Sequence, residues 1–175
     1  MWMIAGIVLA STVVAPVPDV AGQGLVMAVQ ALRDAGYERI KTTDVSGRGR
    51  IVVVRRDWKV CRQQPGAGTV RAETQRQAQV ELSVVKVGES CPTRVEAPVR
   101  PGFMPALRGK SVRVARQSLP GRTTIRITDA TGQNRLVFWD TAWRVCTQTP
   151  AAGQPLTGGP VLLRTVKYGE ACPAR

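Results

Sequence analysis

Four cysteines, two in each half of the 175-residue sequence, are the residues whose type and spacing most directly indicate chemistry. No two of them have the CxxC spacing of zinc ribbons and redox sites, and the sequence contains no histidine to complete a mixed zinc site. Each half carries its pair at equivalent points, so we predict the disulfides Cys61–Cys91 and Cys146–Cys172. A zinc site formed by all four cysteines and free buried thiols are the alternatives. Two disulfides indicate an oxidising compartment.

Basic side chains are the second group that can bind a ligand, and they are unevenly distributed. Residues 104–175 contain eleven lysines and arginines against three acids, which is +8 of the net charge of +13. Lys110, Arg113 and Arg116 recur every three residues and therefore form a ridge along one side of a predicted helix. Arg50 and Arg135 occupy the same position in both halves. We expect contact with a polyanion; ordinary surface solubility is the alternative.

Tryptophans offer a third kind of contact. Trp58 and Trp143 each precede the first cysteine of their half by three residues. For these two, packing near a disulfide is favoured over a stacking platform for sugar or peptide. Trp139 occurs only in the second half, next to Phe138, and we expect one of these two rings to point outward. The candidate ligand-binding residues are Lys110, Arg113, Arg116, Arg50, Arg135 and Trp139.

The residue types that catalysis requires are poorly represented. Without histidine there is no His-activated nucleophile and no imidazole base, and the acids are scattered along the chain. The glycine-rich segments 47–51 and 157–160 do not continue into the Lys-Ser/Thr of a phosphate-binding loop. We therefore predict no catalytic residue, no cofactor and no metal ion, and a function in binding.

The two halves are copies of one unit, offset by about 85 residues, a length that suits a small self-contained domain. Repeat 1 is predicted to span residues 17–92 and repeat 2 residues 104–175. The Pro-rich linker 93–103 is expected to be semi-extended and to hold the repeats apart. Residues 1–16 are apolar and uncharged, and we interpret them as a signal or a partial membrane anchor, with a disordered tail as the alternative.

Hydrophobic periodicity predicts the elements of each repeat. Apolar residues at helical spacing predict one helix ending at Gly36 and a shorter one that begins after Ser111 and stops at Pro120. Alternation predicts strands at 123–127, 80–84 and 161–163, and a long second strand is predicted over 51–61 and its equivalent over 136–146. The fold class that follows is α+β: two tandem small domains, each with one helix packed on a small, mainly antiparallel sheet.

The order of these pieces resembles the PASTA module, which is found outside bacterial cell-division kinases and penicillin-binding proteins. The matching segments are VPDVAGQGLVMAVQALRDAG with CRQQPGAG, and MPALRGKSVRVARQSLPG with CTQTPAAG. The copies depart from the module in being longer, in carrying a cysteine pair, and in inserting the segment D-x-x-G-x-x-R…W-x-V-C. In this they are similar to a longer, cysteine-containing form of actinobacterial secreted or membrane-attached proteins. The resemblance implies binding of peptidoglycan fragments.

The sequence therefore predicts an exported, non-catalytic protein of the cell envelope, secreted or membrane-anchored, with its N-terminus near the membrane. Its expected partner is a cell-wall glycopeptide or an anionic wall polymer. The alternative is a protein-interaction or spacer module that contacts another envelope protein. Specific nucleic-acid binding is not expected, because the aromatic residues are few and disulfides argue against a cytosolic protein.

Overall fold

The fold is that of a computed structural model, which describes residues 15–70, 79–93 and 100–174. The predicted signal or anchor at residues 1–16 lies almost entirely outside these ranges. Within them, no helix has both the length and the apolar character that a bilayer span requires.

Repeat 1 contains one helix and three strands. The helix α1 spans Leu25–Asp34, and the strands are β1 (Ile40–Asp44), β2 (Trp58–Gln64) and β3 (Val80–Lys86). A single 3₁₀ turn, Arg55–Asp57, leads directly into β2.

Repeat 2 has the same elements in the same order. The helix α2 spans Val112–Ser118, and the strands are β4 (Ile125–Asp129), β5 (Trp143–Thr149) and β6 (Val161–Lys167). The 3₁₀ turn Asp140–Ala142 precedes β5.

In both sheets the last strand of the repeat lies in the centre. The strand orders are β1-β3-β2 and β4-β6-β5, with one parallel and one antiparallel pairing in each sheet. The predicted α+β class, with one helix for each sheet, is confirmed. The sheets are mixed, because β1 and β4 run parallel to the central strand while β2 and β5 run antiparallel to it.

The helices pack as their periodicity predicts. Leu25, Ala28 and Leu32 of α1 are fully buried in a core that also contains residues of β2 and β3. Gly36 follows α1 with φ +87°, a conformation that glycine adopts without a Cβ clash. In repeat 2 the Ser111 side chain caps α2 by accepting a hydrogen bond of 3.2 Å from the backbone N–H of Val114. The hydrophobic clusters of the two repeats are separate.

The predicted long strands over 51–61 and 136–146 are wrong in their first half. The strands begin only at Trp58 and Trp143, after the 3₁₀ turns, and residues 51–54 and 136–139 pair with no strand. Ile51 and Val53 are exposed rather than half-buried. The apolar runs 51–54 and 136–139 were misleading, because most of their side chains are exposed on an irregular segment.

Both predicted disulfides are present, between Cys61 and Cys91 and between Cys146 and Cys172. Each joins a bulge in β2 or β5 to the segment that follows the central strand, across Cα–Cα distances of 5.5 and 5.6 Å. The bonds close loops of 30 and 26 residues. In the chain-entropy model, each closure stabilises the fold by about 3–4 kcal/mol.

One glutamine, which makes the same hydrogen bonds in both repeats, explains the Q-x-P element. The Gln63 amide oxygen accepts a hydrogen bond of 2.7 Å from the backbone N–H of Val20, and its Nε2 donates one of 2.9 Å to the carbonyl of Pro18. Gln148 makes the same pair of bonds to Leu107 and Pro105. The proline-containing entry segment of each repeat is therefore fixed to the end of β2 or β5.

The two repeats touch each other, contrary to the expectation that the linker holds them apart. The turn of residues 46–49 in repeat 1 lies against the start of α2. Ser111 donates hydrogen bonds of 2.8 Å from its backbone N–H to the carbonyl of Gly47 and from its hydroxyl to that of Arg48. The Arg48 guanidinium lies 4.5 Å from the centre of the Tyr168 ring. We call this contact the inter-repeat joint.

Gly49 lets the joint close. Its φ is +63°, and a Cβ placed on it would lie 2.8 Å from Cγ2 of Val114. The β-branched valine has few rotamers with which to yield, so any larger residue pushes the turn away from α2. The same sequence position in repeat 2 is Asn134, which also has a positive φ.

The two disulfides should differ in their ease of reduction. Cys91 is exposed, whereas Cys146 is 3% exposed. A thiolate reductant therefore reaches the Cys61–Cys91 bond first. Under limiting dithiothreitol, alkylation and peptide mass mapping should find the label on Cys61 and Cys91 before the repeat 2 pair. Equal labelling of both pairs at all times would contradict this.

Gly49→Ala should loosen the joint. We expect a destabilisation of about 1–3 kcal/mol, from backbone strain and overlap with Val114, and a larger radius of gyration by small-angle X-ray scattering. The double variant Gly49→Ala with Val114→Ala removes the overlap with the valine side chain and should return the radius of gyration to that of the parent protein. An unchanged scattering profile for Gly49→Ala would show that the joint does not fix the repeats in solution.

Candidate ligand-binding site

The inserted segment of each repeat is organised around one arginine held between two carboxylates. In repeat 1, Arg50 donates from Nε to Asp44 Oδ2 at 2.8 Å and from Nη2 to Glu89 Oε2 at 2.6 Å. The guanidinium carbon lies 5.0 Å from the ring centre of Trp58, which is buried. This arrangement ties the end of β1, the start of β2 and the turn after β3 to one point. We call it the Asp–Arg–Glu clamp.

Repeat 2 contains the same clamp. Arg135 donates from Nε to Asp129 Oδ2 and from Nη1 to Glu170 Oε1, both at 2.7 Å, and lies 5.0 Å from the Trp143 ring centre. The Asp129 side chain is fully buried. Asp129 also stabilises the turn that follows it, because its Oδ1 accepts a hydrogen bond of 3.0 Å from the backbone N–H of Thr131, two residues on.

The clamp gives Arg50 and Arg135 an internal role. Both guanidinium groups are directed to protein carboxylates, which is sufficient reason for their repetition at this position. Their predicted contact with a ligand stays a prediction. Trp58 and Trp143 are buried beneath the clamps, so neither offers a stacking surface. In the described ranges, no three His, Cys, Asp or Glu side chains cluster as metal ligands.

The clamp shifts the pKa of its carboxyl groups. Hydrogen bonds from Arg135 lower the pKa of Glu170 from 4.5 to about 2 and hold that of Asp129 far below its usual value. In repeat 1, burial raises the pKa of Asp44, but the hydrogen bonds from Arg50 and Ser46 outweigh burial and leave it lowered. All of these groups are ionised at neutral pH.

An open groove lies on repeat 2 beside the joint. Its lining comes from α2, from the irregular segment before β5 and from the 3₁₀ turn, and consists of Arg113, Phe138, Trp139, Asp140 and Thr141. Phe138 and Trp139 are 78% and 75% exposed. We expected one of these two rings to point outward, and in the structure both do. We call this surface the aromatic groove.

The two rings also border a second, mainly apolar depression. Its other walls are Leu136, Ala142, Trp143 and Lys167. Phe138 and Trp139 thus stand between a polar hollow, which has a cation, a carboxylate and a hydroxyl, and an apolar one. A ligand with a flat apolar face and an anionic group matches this pair of surfaces.

The three predicted basic ridge residues have different environments. Lys110 precedes α2 and lies at the joint, close to Gly47. Arg116 pairs with Asp140 at 2.9 Å. Arg113 lines the aromatic groove and has no ion-pair partner in the part of the chain that the structure describes; its side-chain stem lies close to Gly49. Of the three, Arg113 is the one whose charge is directed to the groove without an acidic partner.

Sequence reasoning missed two members of this surface. Phe138 was considered only as the neighbour of Trp139, because both were placed on a paired strand. Asp140 was missed because its partner, Arg116, is 24 residues away and reaches it only after α2 packs against the 3₁₀ turn. The signal that was available is the change from Arg55 in repeat 1 to Asp140 in repeat 2 at an otherwise matched position.

Stability should fall in acid as the clamps protonate. Because the folded-state pKa of Glu170 is lowered, its contribution is fully present above about pH 4.5 and is lost as the pH falls toward 2. We expect the melting temperature, followed by circular dichroism, to decline across this window. Glu170→Gln should lower the melting temperature at pH 7 and flatten the decline. If the melting temperature of Glu170→Gln falls with pH in parallel with that of the parent protein, Glu170 does not cause the acid sensitivity.

No protein-family model matches this chain, and no curated protein matches it. Among solved structures it is similar to the entire extracellular region of the Ser/Thr kinase PrkC from Staphylococcus aureus, at 15% identity and a TM-score of 0.31, covering 87% of this chain and 46% of that one. It is also similar to a three-PASTA-domain structure of a Ser/Thr kinase from the same organism, at 16% identity and a TM-score of 0.26, covering 85% and 64%. The chain thus spans less than two thirds of either structure.

Proposed function

We propose that this protein is an extracytoplasmic, non-catalytic binding protein built from two PASTA-like repeats. Its aromatic groove recognises a cell-wall glycopeptide or an anionic wall polymer. The observation that carries the proposal is the exposed pair Phe138 and Trp139 beside Arg113. The two disulfides support the extracytoplasmic location, because such bonds persist in oxidising compartments.

The chemistry of the groove fits such a ligand. Aromatic rings stack on the apolar faces of sugars and on peptide planes, and an arginine donates two parallel hydrogen bonds to a carboxylate or phosphate. Arg113 is preorganised because its stem lies close to the turn of repeat 1 at Gly49. Wall glycopeptides and anionic wall polymers offer both kinds of group on one chain.

The test is retention of the full chain on purified cell-wall sacculi, with and without their anionic polymers. Trp139→Ala should reduce retention by about tenfold, as removal of an exposed aromatic anchor does. Arg113→Gln, which keeps the stem at the joint but removes the charge, should have a similar effect. Loss of the Arg113 effect on stripped sacculi would identify the anionic polymer, and its persistence would identify the glycopeptide.

Arg126→Gln is the matched control. Arg126 is exposed on β4, outside the lining of the groove, and the substitution changes net charge equally. If Arg126→Gln weakens retention as much as Arg113→Gln, the binding is a diffuse effect of net charge and the groove has no part in it. Absence of retention even at low salt would favour the spacer or protein-interaction function instead.

A further inference from the structure

The surface of repeat 1 that matches the aromatic groove carries different chemistry. Alignment of the repeats places Val53 and Val54 at the positions of Phe138 and Trp139, and Val26 at that of Arg113. Together with Ile51 and Met27, these side chains are 44–77% exposed. Repeat 1 thus presents an aliphatic tip where repeat 2 presents aromatic rings and a cation.

The tip is held in place rather than free to fold inward. Arg50, immediately before it, is fixed in the clamp, and Trp58, at the start of β2, is buried. Between them Val52 packs against the hydrophobic core of repeat 1. The helix α1, which carries Val26 and Met27, lies against the 3₁₀ turn that follows the tip. Exposure of these apolar side chains is therefore built into the fold.

Cations directly follow the aliphatic residues. Arg55 and Arg56 are exposed in the 3₁₀ turn, and the Arg56 side chain is 84% exposed. The neighbouring acid, Asp57, pairs with Lys86 at 3.1 Å and lies 3.9 Å from Arg56. In repeat 2 the residues that match the two arginines are Asp140 and Thr141, so the cationic pair belongs to repeat 1 alone.

We propose that the aliphatic tip, residues 51–54 with Val26 and Met27 beside it, docks on the surface of an anionic lipid bilayer together with Arg55 and Arg56 of the 3₁₀ turn. Short aliphatic side chains enter the boundary between headgroups and acyl chains, and arginines at the same level attract anionic headgroups. Charge complementarity favours this occupant over a second copy of the chain, which would bring another +13 charge to the same surface.

Vesicle co-sedimentation of the full chain tests the proposal. We expect more protein to bind to phosphatidylcholine vesicles that contain phosphatidylglycerol than to vesicles of phosphatidylcholine alone. Val53→Asp should reduce that binding by about tenfold, because a charged residue replaces an inserting one. The double variant Arg55→Gln with Arg56→Gln should reduce it by at least about tenfold at low salt and much less at high salt.

Phe138→Asp, at the matched position of repeat 2, is the control and should leave vesicle binding unchanged. Equal loss from Phe138→Asp, or binding that is unaffected by Val53→Asp, would overturn the proposal. The latter result would assign membrane affinity to residues outside the tip. Sedimentation velocity tests whether a second copy of the chain covers the tip instead. Self-association that disappears in Val53→Asp would identify that second copy and would also overturn the membrane proposal. Circular dichroism of each variant verifies folding.

Discussion

In each repeat an arginine held between two carboxylates, above a buried tryptophan, determines where the other elements lie. The clamp joins the end of the first strand, the start of the second and the turn after the third, three points that are far apart in sequence. A buried carboxylate is costly unless it is paired and hydrogen-bonded, and Asp129 meets both conditions through Arg135. Because the chain is anchored immediately before and shortly after residues 51–54 and 136–139, these segments can expose apolar side chains without collapsing onto the core.

The two repeats share this clamp-based framework and differ in the side chains that they expose. Both repeats retain the clamp, the disulfide and the glutamine that fixes the entry segment. Among the exposed side chains that differ are those on the segment between the clamp and the second strand and on the first turn of the helix. Repeat 1 has aliphatic residues followed by two arginines there, and repeat 2 has Phe138, Trp139 and Asp140 with Arg113 opposite. Since the clamp, the disulfide and the glutamine do not depend on these positions, their side chains can differ without loss of the fold.

Local patterns predicted the features that local physics controls. The buried face of α1, the Ser111 cap and both disulfides follow from periodicity, capping and duplication. The extent of the second strands did not, because a run of apolar residues that is typical of a strand also occurs in an irregular segment exposed to solvent. The central position of the last strand and the joint at Gly49 depend on contacts between residues distant in sequence. Nothing adjacent to Gly49 distinguishes a glycine needed for a turn from one needed for close approach.

The same limit applies to charge, where a cation's type and spacing do not reveal whether it has an internal partner. Repeat 2 has three acids in residues 104–175, and the structure uses all of them: Asp129 and Glu170 hold Arg135, and Asp140 holds Arg116. The positive excess of this repeat is therefore not neutralised from within it, and the potential at its surface stays attractive to anions. Arg113 directs part of that excess at two exposed aromatic rings, and the proposed ligand site rests on this combination of charge and flat apolar surface.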